Sequence, residues 1–594
     1  MTERSQINSL QKEIKNDIVE EENKNWDKKI ENINNLKTNP AKSWKEIQYV
    51  LQTNKKQNRK QIDHVIDSNG TKITDKNDIT ETFRQKLMNT LQPNEVTDVH
   101  HNNQIKNFID NYKIDTSDLL PFANCEVLNK IKKLKTNKAP GVDQINNKTL
   151  LYLSETISPI LTKLFNSCLG VGYFPTAFKV AKVTMIPKKG VSKSIDNFRP
   201  ISLLSTIGKL FESVIASRIY NWAENHEKIN PEQSGFRKRR STNDQLFLLT
   251  QAVRQNFNRK RQTDAVFIDF AKAFDKVWHE GLRYKLHRIG VPFFLQSILS
   301  SFLENRRCFI SLHGMESAFF TPAAGVPQGS CISPILFSLY AADIPMSLKC
   351  FTSQFADDIA IWHSPHKRSP RNELQLYFND IIEWCDKWGL KINHTKTHKI
   401  IFIHSHMTAT IKQPILFKTV PIPVVNEVTF LGIRFDSRLN FNNHLDNICN
   451  STISIREKLH HLSFTSPPIN KSILRSIYMS NVRSRLEYGC TALSTLTRAQ
   501  YNRMNIIQNS CVRSIYSLPR GTRKEQILSI ANLTSIEDRI LFLGRKHITQ
   551  ALQNPIHPIS LNQDTFRFFI NYDMHQTPFN RIHTNHPITK KLKT

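Results

Sequence analysis

The middle of the chain carries two different patterns of apolar and polar residues. In DAVFIDF, residues 264–270, four apolar residues follow one another, as in a strand that is buried on both faces. The next segment, AKAFDKVWHEGLRYKLHRIG, has apolar residues at helical spacing as far as Gly290. In TSQFADDIAIWH, residues 352–363, apolar and polar residues alternate on both sides of two aspartates. The patterns predict a buried strand, a helix and a hairpin, in that order.

Similar patterns predict further elements on both sides of this region. The spacing predicts a short hairpin at 65–75, a strand at 179–190 and an amphipathic helix at 371–389. From about residue 440 onward the pattern is helical. We therefore expect strands and helices to mix in the first part of the chain and helices to dominate the last part.

The charge of the chain indicates the kind of partner that it binds. The 594 residues are 39% hydrophobic, which is enough for large cores, and 82 Lys and Arg outnumber 51 Asp and Glu to give a net charge of +31. Between residues 440 and 545 there are fourteen Lys or Arg and six Asp or Glu, which indicates a basic helical bundle. A polyanion is the expected partner, nucleic acid before an anionic membrane surface.

Several classes of protein do not fit the sequence. The nine cysteines occur singly, without a CxxC pair, so neither a zinc knuckle nor a disulfide scaffold is indicated. The N-terminus has no apolar signal core, and no stretch approaches the ~20 apolar residues of a membrane span. We expect a soluble protein of the nucleus and cytoplasm that does not bind membranes.

Three aspartates stand at the ends of the predicted central strands. Asp357 and Asp358 occupy the turn of the predicted hairpin, and Asp269 ends the buried strand. Two adjacent acids most often form an ordinary solvated turn. If the strands are neighbours, however, each pair of carboxylates ~4 Å apart repels by roughly 4 kcal/mol, which would raise a pKa by about three units. Such carboxylates either protonate or hold divalent cations, of which Mg²⁺ best suits oxygen ligands and phosphate substrates.

Sequence blocks around these aspartates resemble a known family. They are, in order, NKAPGVDQI, IPKKG with NFRPISLLSTIGKLFE, QSGFRKRRSTNDQL, VFIDFAKAFDKVWH, AGVPQGSCISPILFSLYAADI, FADDIAIW, GLKINHTKT and FLGIRFD. They span residues 137–436 and resemble the reverse transcriptases of non-LTR (LINE-like) retrotransposons, the jockey-like elements most closely. Phe355 stands where many relatives have Tyr.

The resemblance implies a two-metal active site. Asp269 and Asp357 would be the principal ligands of two Mg²⁺ ions, with Asp358 beside them and Mn²⁺ able to substitute. Lys396 would lie near the leaving pyrophosphate as a general acid, although a surface lysine is a nearly equal alternative.

The resemblance also implies residues that bind the incoming nucleotide. They are Lys188 or Lys189 and Arg199 as clamps of the triphosphate, Gln328 and Gly329 in the PQGS loop, and Phe274 as a steric gate against the 2′-hydroxyl. The residues alone leave simpler readings open: an ordinary turn for PQGS, solvated charges for the lysines, and a core position for Phe274. For the nucleic acid we expect contacts from Arg237, Arg239, Arg503 and Arg513, with RKRR at 237–240 as a phosphate-contacting loop or a nuclear address.

The fold implied is an α+β right-hand polymerase with α/β fingers, an antiparallel-sheet palm, a helical thumb and a helical C-terminal tail. The expected divisions are a charged, partly helical lead-in at 1–110, fingers with an N-terminal extension at 111–255, the palm at 256–436, the basic thumb at 437–545 and the tail at 546–594.

The expected activity is RNA-directed DNA synthesis from deoxynucleoside triphosphates, primed at nicked target DNA, by an enzyme of a non-LTR retrotransposon. The expected partners are template RNA and primer or target DNA. The roughly 130 residues before the first block are too few for the family's endonuclease, so we expect a separate endonuclease, or an element-encoded RNA-binding protein, to assist. The alternatives are a group II intron type reverse transcriptase and maturase, or a catalytically idle RNA-binding relic.

Overall fold

The structure is a computed structural model that describes residues 2–35, 46–47, 62–67, 69–111, 119–188, 193–365, 372–404, 407–408, 414–465 and 467–561. Its helices are α1 (Thr2–Asn34), α2 (Lys76–Thr90), α3 (Val99–Asn111), α4 (Asn124–Lys132), α5 (Asn147–Tyr152), α6 (Ser154–Gly170), α7 (Thr176–Lys179), α8 (Thr206–Asn225), α9 (Thr242–Asn258), α10 (His279–Arg288), α11 (Phe293–Leu303), α12 (Ser333–Tyr340), α13 (Glu373–Trp388), α14 (Asn442–Ser463), α15 (Lys471–Tyr478), α16 (Ser484–Glu487), α17 (Cys490–Leu493), α18 (Arg498–Tyr516), α19 (Lys524–Ala531), α20 (Ile536–Leu552) and α21 (Pro558–Leu561). Its strands are β1 (Val65–Ile66), β2 (Lys72–Ile73), β3 (Val180–Pro187), β4 (Phe198–Leu203), β5 (Thr263–Ile268), β6 (Arg307–Leu312), β7 (Met315–Glu316), β8 (Phe351–Phe355), β9 (Asp358–His363), β10 (His398–Phe402), β11 (Leu416–Phe417), β12 (Val420–Pro421), β13 (Glu427–Phe430) and β14 (Ile433–Asp436).

A four-stranded antiparallel sheet, in the order β10-β5-β9-β8, divides two hydrophobic cores. All six residues of β5 are buried, as its continuous apolar sequence predicts. Val266 and Ile268 pack into a first core with α8 and α10 to α13. Ala265 and Phe267 point to the other face, into a second core with α9 and the C-terminal helices. We call this sheet the central sheet.

A second four-stranded sheet, in the order β4-β3-β6-β7, lies beside the first core. Strands β3 and β4 pair antiparallel, whereas β6 runs parallel to β3. Helix α2 covers this sheet and forms a third core with it, in which Phe83 meets Phe198 with ring centroids 5.0 Å apart. We call this sheet the side sheet.

Local capping explains where the helices next to the central sheet begin and end. Ser241 and Asp244 form a capping box at the start of α9, because the Ser241 side chain accepts from the Asn243 amide while Asp244 accepts from the Ser241 amide. Helix α13 ends at Gly389, whose φ of +67° is the left-handed conformation that glycine adopts freely. The sequence predicts α13 closely for this reason.

The helix predicted after the buried strand is shorter than expected. Residues Ala273–Lys276 form a 3₁₀ turn, and α10 begins only at His279. The carbonyl groups of Phe274 and Val277 accept hydrogen bonds from the amides of Val326 and Gly325, at 2.9 Å and 2.8 Å. Because these carbonyls bind a distant loop, they are not available to an α-helix.

The described part of 1–110 packs against the rest of the chain. Ile30 and Ile33 lie in the second core, Phe83 in the third and Ile105 in the first. None of the described helices combines the length and the apolar composition that crossing a bilayer requires. In the predicted tail, 546–594, the described residues end at 561.

Candidate active site

The central sheet brings the three predicted aspartates to one of its ends. Ile268, the last residue of β5, pairs with Ile359 of β9. Asp269 follows Ile268 in the chain, so it lies beside the start of β9. The turn between β8 and β9 contains Asp357, and Asp358 is the first residue of β9. Asp269 and Asp357 line one cleft of about 670 Å³ between the central and side sheets.

A glutamine from a distant segment holds the turn that carries Asp357. Gln233 is almost fully buried, and its Oε1 accepts hydrogen bonds from the amides of Ala356 and Gly235 at 2.8 Å and 2.7 Å. Its Nε2 donates to the carbonyl of Ala356 at 3.1 Å. A Cβ at Gly235 would lie 2.3 Å from the Ala356 amide nitrogen, so only glycine permits this approach.

Burial and neighbouring charge raise the pKa of two of the carboxyl groups, those of Asp357 and Asp358. Burial raises the pKa of Asp357, and the nearby Asp269 carboxylate raises it further. The positive charge of Arg199 partly opposes this shift. Burial and the charges of Asp357 and Asp269 raise the pKa of Asp358 to about 6. These shifts have the direction that the sequence predicts for acids at the ends of adjacent strands.

The three aspartates do not form one cluster. Asp358 is absent from the lining of the cleft, which Asp269 and Asp357 share. Among the described residues, no three His, Cys, Asp or Glu side chains lie close enough to hold a metal ion by themselves. Two carboxylates still fit a divalent cation, since Mg²⁺ commonly takes one or two protein carboxylates and fills its other positions with water and phosphate oxygens.

Basic side chains of the side sheet face the two carboxylates across the cleft. Lys188 at the end of β3 and Arg199 on β4 both line it, and both are exposed. The Lys188 ammonium donates to the Asp196 carbonyl at 3.4 Å. Lys189, the alternative to Lys188, lies outside the described residues.

A loop before β10 supports Asp269 and places Lys396 in the same cleft. The Asp269 amide donates to Thr397 Oγ1 at 3.2 Å, and the Asp269 carbonyl accepts from the Asn393 amide at 2.8 Å. The Lys396 amide donates to the Asn393 carbonyl at 3.1 Å, and its exposed side chain lines the cleft. The backbone on both sides of Asp269 is therefore fixed by this loop.

Of the predicted nucleotide-binding residues in the PQGS loop and the gate, Gln328 lines the cleft, whereas Gly329 and Phe274 do not. Gln328 lines the cleft, and its Nε2 donates to Asp275 Oδ1 at 3.0 Å. Gly329 has a φ of +121°, and a Cβ there would lie 2.7 Å from the Ser202 carbonyl oxygen. Its close backbone contact is therefore with β4 of the same chain.

Phe274 is half-buried and packs against other aromatic rings. Its ring stacks on that of Phe337, with centroids 4.5 Å apart and planes at 24°, and meets Phe236 edge to face at 6.0 Å. Phe274 is not among the residues that line the cleft, although the adjacent Asp275 is. The position combines a packing role with nearness to the cleft.

The sequence blocks and the site geometry point to the same family. Residues 186–435 match the family described as Reverse transcriptase (RNA-dependent DNA polymerase). These residues belong to the reverse transcriptase family. The match covers the whole central sheet, both cleft carboxylates and the PQGS loop, together with β4, β6, β7 and the last two residues of β3 in the side sheet. The carboxylate side of the cleft therefore lies within the matched domain, whereas Phe83 and Lys86 of α2, which also line the cleft, come before it. The predicted α+β class, with a right-hand polymerase fold, is confirmed.

Three relatives of this chain come from mobile elements of Drosophila melanogaster. The chain is 32% identical over 426 residues to the probable RNA-directed DNA polymerase from transposon BS, covering 70% of this chain and 47% of that protein. It is 30% identical over 485 residues to the probable RNA-directed DNA polymerase from transposon X-element, covering 80% of this chain and 53% of that protein. It is 31% identical over 449 residues to the RNA-directed DNA polymerase from mobile element jockey, covering 73% and 48%. The chain thus spans about half the length of these curated relatives, and the predicted resemblance to jockey-like elements is confirmed.

Among solved structures, telomerase from Candida tropicalis with a fragment of telomeric RNA is similar at 13% identity and a TM-score of 0.33. The likeness covers 71% of this chain and 69% of that chain.

Three residues that support the reverse transcriptase domain were not predicted from the sequence. Gln233 holds the carboxylate turn, and Asp275 binds Gln328 while burial raises the pKa of its carboxyl. Glu212 is fully buried and accepts from Ser330 Oγ at 2.6 Å and from the Cys331 amide at 2.7 Å, which anchors the end of the PQGS loop. Gln233 and Glu212 both lie in blocks that carry the family resemblance, but their partners are more than 100 residues away in sequence.

The four arginines predicted to bind nucleic acid have different surroundings. Arg237 is buried, its guanidinium pairs with Glu224 at 2.6 Å, and Nη1 also donates to the carbonyls of Asn230 and Gln233. The prediction that Arg237 contacts phosphate is therefore wrong, because its donors are used inside the protein. Arg239, in the same segment, is exposed.

The two arginines of the C-terminal helices differ in the same way. Arg503 is partly exposed and pairs with Asp446 on α14. Arg513 is half-buried, and its Nη2 donates to the Thr522 carbonyl at 3.3 Å. Arg503 is the more accessible of the two for a phosphate group.

Proposed function

We propose that this chain is an RNA-directed DNA polymerase of a non-LTR retrotransposon, which copies element RNA into DNA. The single observation that supports this most strongly is the pairing of Asp269 and Asp357 in one cleft that basic side chains face. Both carboxylates lie within the matched reverse transcriptase domain. A site with this composition suits substrates that carry phosphate groups.

Divalent cations complete the proposed site. Asp269 and Asp357 would hold two Mg²⁺ ions, which Mn²⁺ can replace, with Asp358 as a nearby third carboxylate. Two such ions stabilise the attacking and the leaving oxygen of an in-line phosphoryl displacement. The raised pKa of Asp357 supports this proposal, because burial and the Asp269 carboxylate both disfavour its negative charge, which a bound cation would stabilise.

The side chains of the opposite wall would bind the incoming deoxynucleoside triphosphate. Arg199 can contact two phosphate oxygens at once through its planar fork, and Lys188 supplies a compact charge. Lys396 lies on the other side of Asp269 and would protonate the leaving pyrophosphate. Each of these three side chains reaches the cleft from a different loop or strand.

The floor of the cleft would position the sugar and the base. Gln328 would bind near the sugar while Asp275 holds its amide group. Gly329 lets the PQGS loop approach β4 closely, and this contact would fix the position of the loop relative to the cleft. Phe274 would act as the gate that excludes the 2′-hydroxyl of ribonucleotides, with Phe337 behind its ring.

The proposed partners are template RNA and a primer that includes nicked target DNA. The net charge of +31 supports binding to both strands, and Arg239 and Arg503 are the proposed phosphate contacts. A separate endonuclease, or an element-encoded RNA-binding protein, would supply functions outside the reverse transcriptase domain. The proposed locations are the nucleus and the cytoplasm.

A group II intron type enzyme and an idle RNA-binding relic are the alternatives. The named relatives of this chain are polymerases of mobile elements, which favours the retrotransposon assignment over the intron type. The supports of the two carboxylates, Gln233 and the loop before β10, are also intact, which an idle relic would not need.

The test is primer extension by the purified full chain on an RNA template. We expect extension with Mg²⁺ or Mn²⁺ and none with a chelator. Asp269→Ala and Asp357→Ala should each abolish extension, whereas Asp380→Ala, an exposed carboxylate on α13, should not. Undiminished extension by Asp357→Ala would overturn the metal assignment. The proposed need for a separate endonuclease predicts extension at a ready-made nick and no relaxation of an intact supercoiled plasmid.

A further inference from the structure

A second cavity lies at the opposite end of the central sheet from the carboxylates. Its volume is about 580 Å³, within the usual range for small-molecule sites, and α9, β8 and the end of β9 form its walls. Trp362 lines it and stands five residues after Asp357 along an extended strand, which is roughly 17 Å. The cavity is therefore separate from the cleft.

Two residues in the wall of this cavity carry buried hydrogen-bond donors that have no partner. Trp362 is 3% exposed and Gln255 is 6% exposed, and neither Trp362 Nε1 nor Gln255 Nε2 has a hydrogen-bond acceptor within reach. Buried polar groups of native proteins nearly always have a partner. Both nitrogens are closed off from water in this structure, so acceptor atoms of a bound molecule would satisfy them only once the two side chains turn toward the cavity.

An aromatic surface lies beside these donors. The Phe351 ring stacks on the Trp362 indole with centroids 5.9 Å apart and planes at 15°. Phe351 remains 48% exposed and lines the cavity, so its outer face is open to a planar ligand. Stacking of this kind is how proteins bind nucleobases in single strands, because every base has a π face.

The charges around the cavity add two further preferences. Arg261 and Lys349 line it together with Arg259, and Lys349 also pairs with Glu373 at 2.7 Å. This positive charge favours a phosphate group. Glu232 lines the same cavity, and burial raises the pKa of its carboxyl to about 7. A carboxyl group can accept from an N–H of a base.

We propose that this cavity binds one nucleotide, with the base against Phe351 and the phosphate at Arg261, and with base acceptors at Trp362 Nε1 and Gln255 Nε2 once those two side chains have turned toward the cavity. Guanine fits this set best, since it offers acceptors at O6 and N7 to the two donors and an amino group to Glu232. The nucleotide is a residue of a single nucleic-acid strand or a free mononucleotide. The proposal is independent of the polymerase activity, because no residue of the cleft takes part in it.

The test uses the full chain and two kinds of probe. The first is a ten-nucleotide single-stranded RNA with one 6-thioguanosine, cross-linked by light and mapped by mass spectrometry of the digested protein. The second is GMP, AMP, CMP or UMP as a competitor of that cross-link. We expect cross-linked peptides from residues 346–364, and we expect GMP to compete best if the free nucleotide is the natural ligand. Competition by the unlabelled RNA alone would identify the strand as the ligand.

Variants of the cavity separate binding from folding. Phe351→Ala should reduce cross-linking roughly 5- to 150-fold, the range that loss of one base stack implies. Trp362→Phe keeps a ring but removes the donor, and Gln255→Met keeps the size of the side chain, so each should weaken binding with little change in melting temperature. Phe319→Ala, which truncates a comparably exposed phenylalanine outside the cavity, is the control and should change nothing.

Primer extension by the same variants distinguishes this proposal from the proposed function. We expect cavity variants to extend a short primer at the wild-type rate, even where the cross-link is lost. Absence of cross-links from 346–364, or equal cross-linking by Phe351→Ala and the Phe319→Ala control, would overturn the cavity assignment whether or not the chain extends primers.

Discussion

Gln233 provides a sharp test of how the carboxylate turn is held. Its side chain makes three hydrogen bonds to backbone groups of Ala356 and Gly235, at 2.7 to 3.1 Å. Each bond contributes about 1 kcal/mol net, and a buried group left without its partner costs up to about 3 kcal/mol. Gln233→Ala should therefore destabilise the turn by about 3 kcal/mol or more.

The effect on the rate follows from this free energy. A loss of about 3 kcal/mol in the population of the correct turn corresponds to roughly 100-fold in rate, at about 1.4 kcal/mol per factor of ten. We expect Gln233→Ala to lower the kcat of primer extension by that factor, with a smaller change in the KM for nucleotide. Gln233→Glu keeps both acceptor contacts and loses the donor to the Ala356 carbonyl, so its loss should be closer to tenfold.

Gln375 gives a matched control. Its side chain also binds both backbone groups of one residue, since Oε1 accepts from the Leu416 amide at 2.6 Å and Nε2 donates to the Leu416 carbonyl at 2.9 Å. Gln375→Ala should lower the melting temperature but leave kcat unchanged, because the turn is not involved. If Gln233→Ala extends primers within twofold of the wild-type rate, the glutamine does not position Asp357.

Three further predictions concern the cation, the sugar and the nucleic acid. The pKa of Asp358 is about 6 in the folded protein, above its usual value, so the folded state takes up a proton there as the pH falls through 6. Because protons then compete with cations, Mg²⁺ should raise the melting temperature more at about pH 8 than at about pH 5.5. An equal rise at the two pH values would contradict this. Phe274→Val should lower the melting temperature, since it removes a ring stacked 4.5 Å from that of Phe337. It should also raise the incorporation of ribonucleotides relative to deoxynucleotides. If single-nucleotide incorporation keeps the wild-type ratio of the two sugars, Phe274 has only the packing role. RNA binding measured by filter retention should weaken steeply with salt, and Arg503→Glu, which opposes Asp446 with a like charge, should reduce the slope by roughly one; an unchanged slope would remove Arg503 from the interface.

The sequence predicted the parts of the site that depend on local pattern. The alternation in 352–363 predicted a hairpin with Asp357 in its turn, and β8 and β9 form that hairpin. The apolar run before Asp269 predicted a strand buried on both faces, as β5 is. The resemblance to a family then supplied what pattern could not, namely that these two elements are neighbours.

Other features depend on contacts between distant segments, and no local pattern contains them. The four basic residues at 237–240 have the composition of a phosphate-binding loop, yet Arg237 turns inward because Glu224 and two carbonyl groups receive its guanidinium. The 3₁₀ turn at Ala273–Lys276 replaces a predicted helix because the amides of Val326 and Gly325 bind the carbonyl groups of Phe274 in the turn and of Val277 directly after it. In both places a partner far along the chain outweighs local propensity.

The packing of helix α1 has a consequence for synthesis of the chain on the ribosome. The side chain of Asn34 donates to the Pro468 carbonyl, 434 residues later, at 3.2 Å. Ile30 and Ile33 share a core with helices that begin after residue 440. Translation adds about 5–20 residues per second, so α1 leaves the ribosome roughly 20 to 90 s before these partners exist. During that interval its apolar residues are ligands for chaperones, and a message cut short before codon 468 would yield a protein that exposes them permanently.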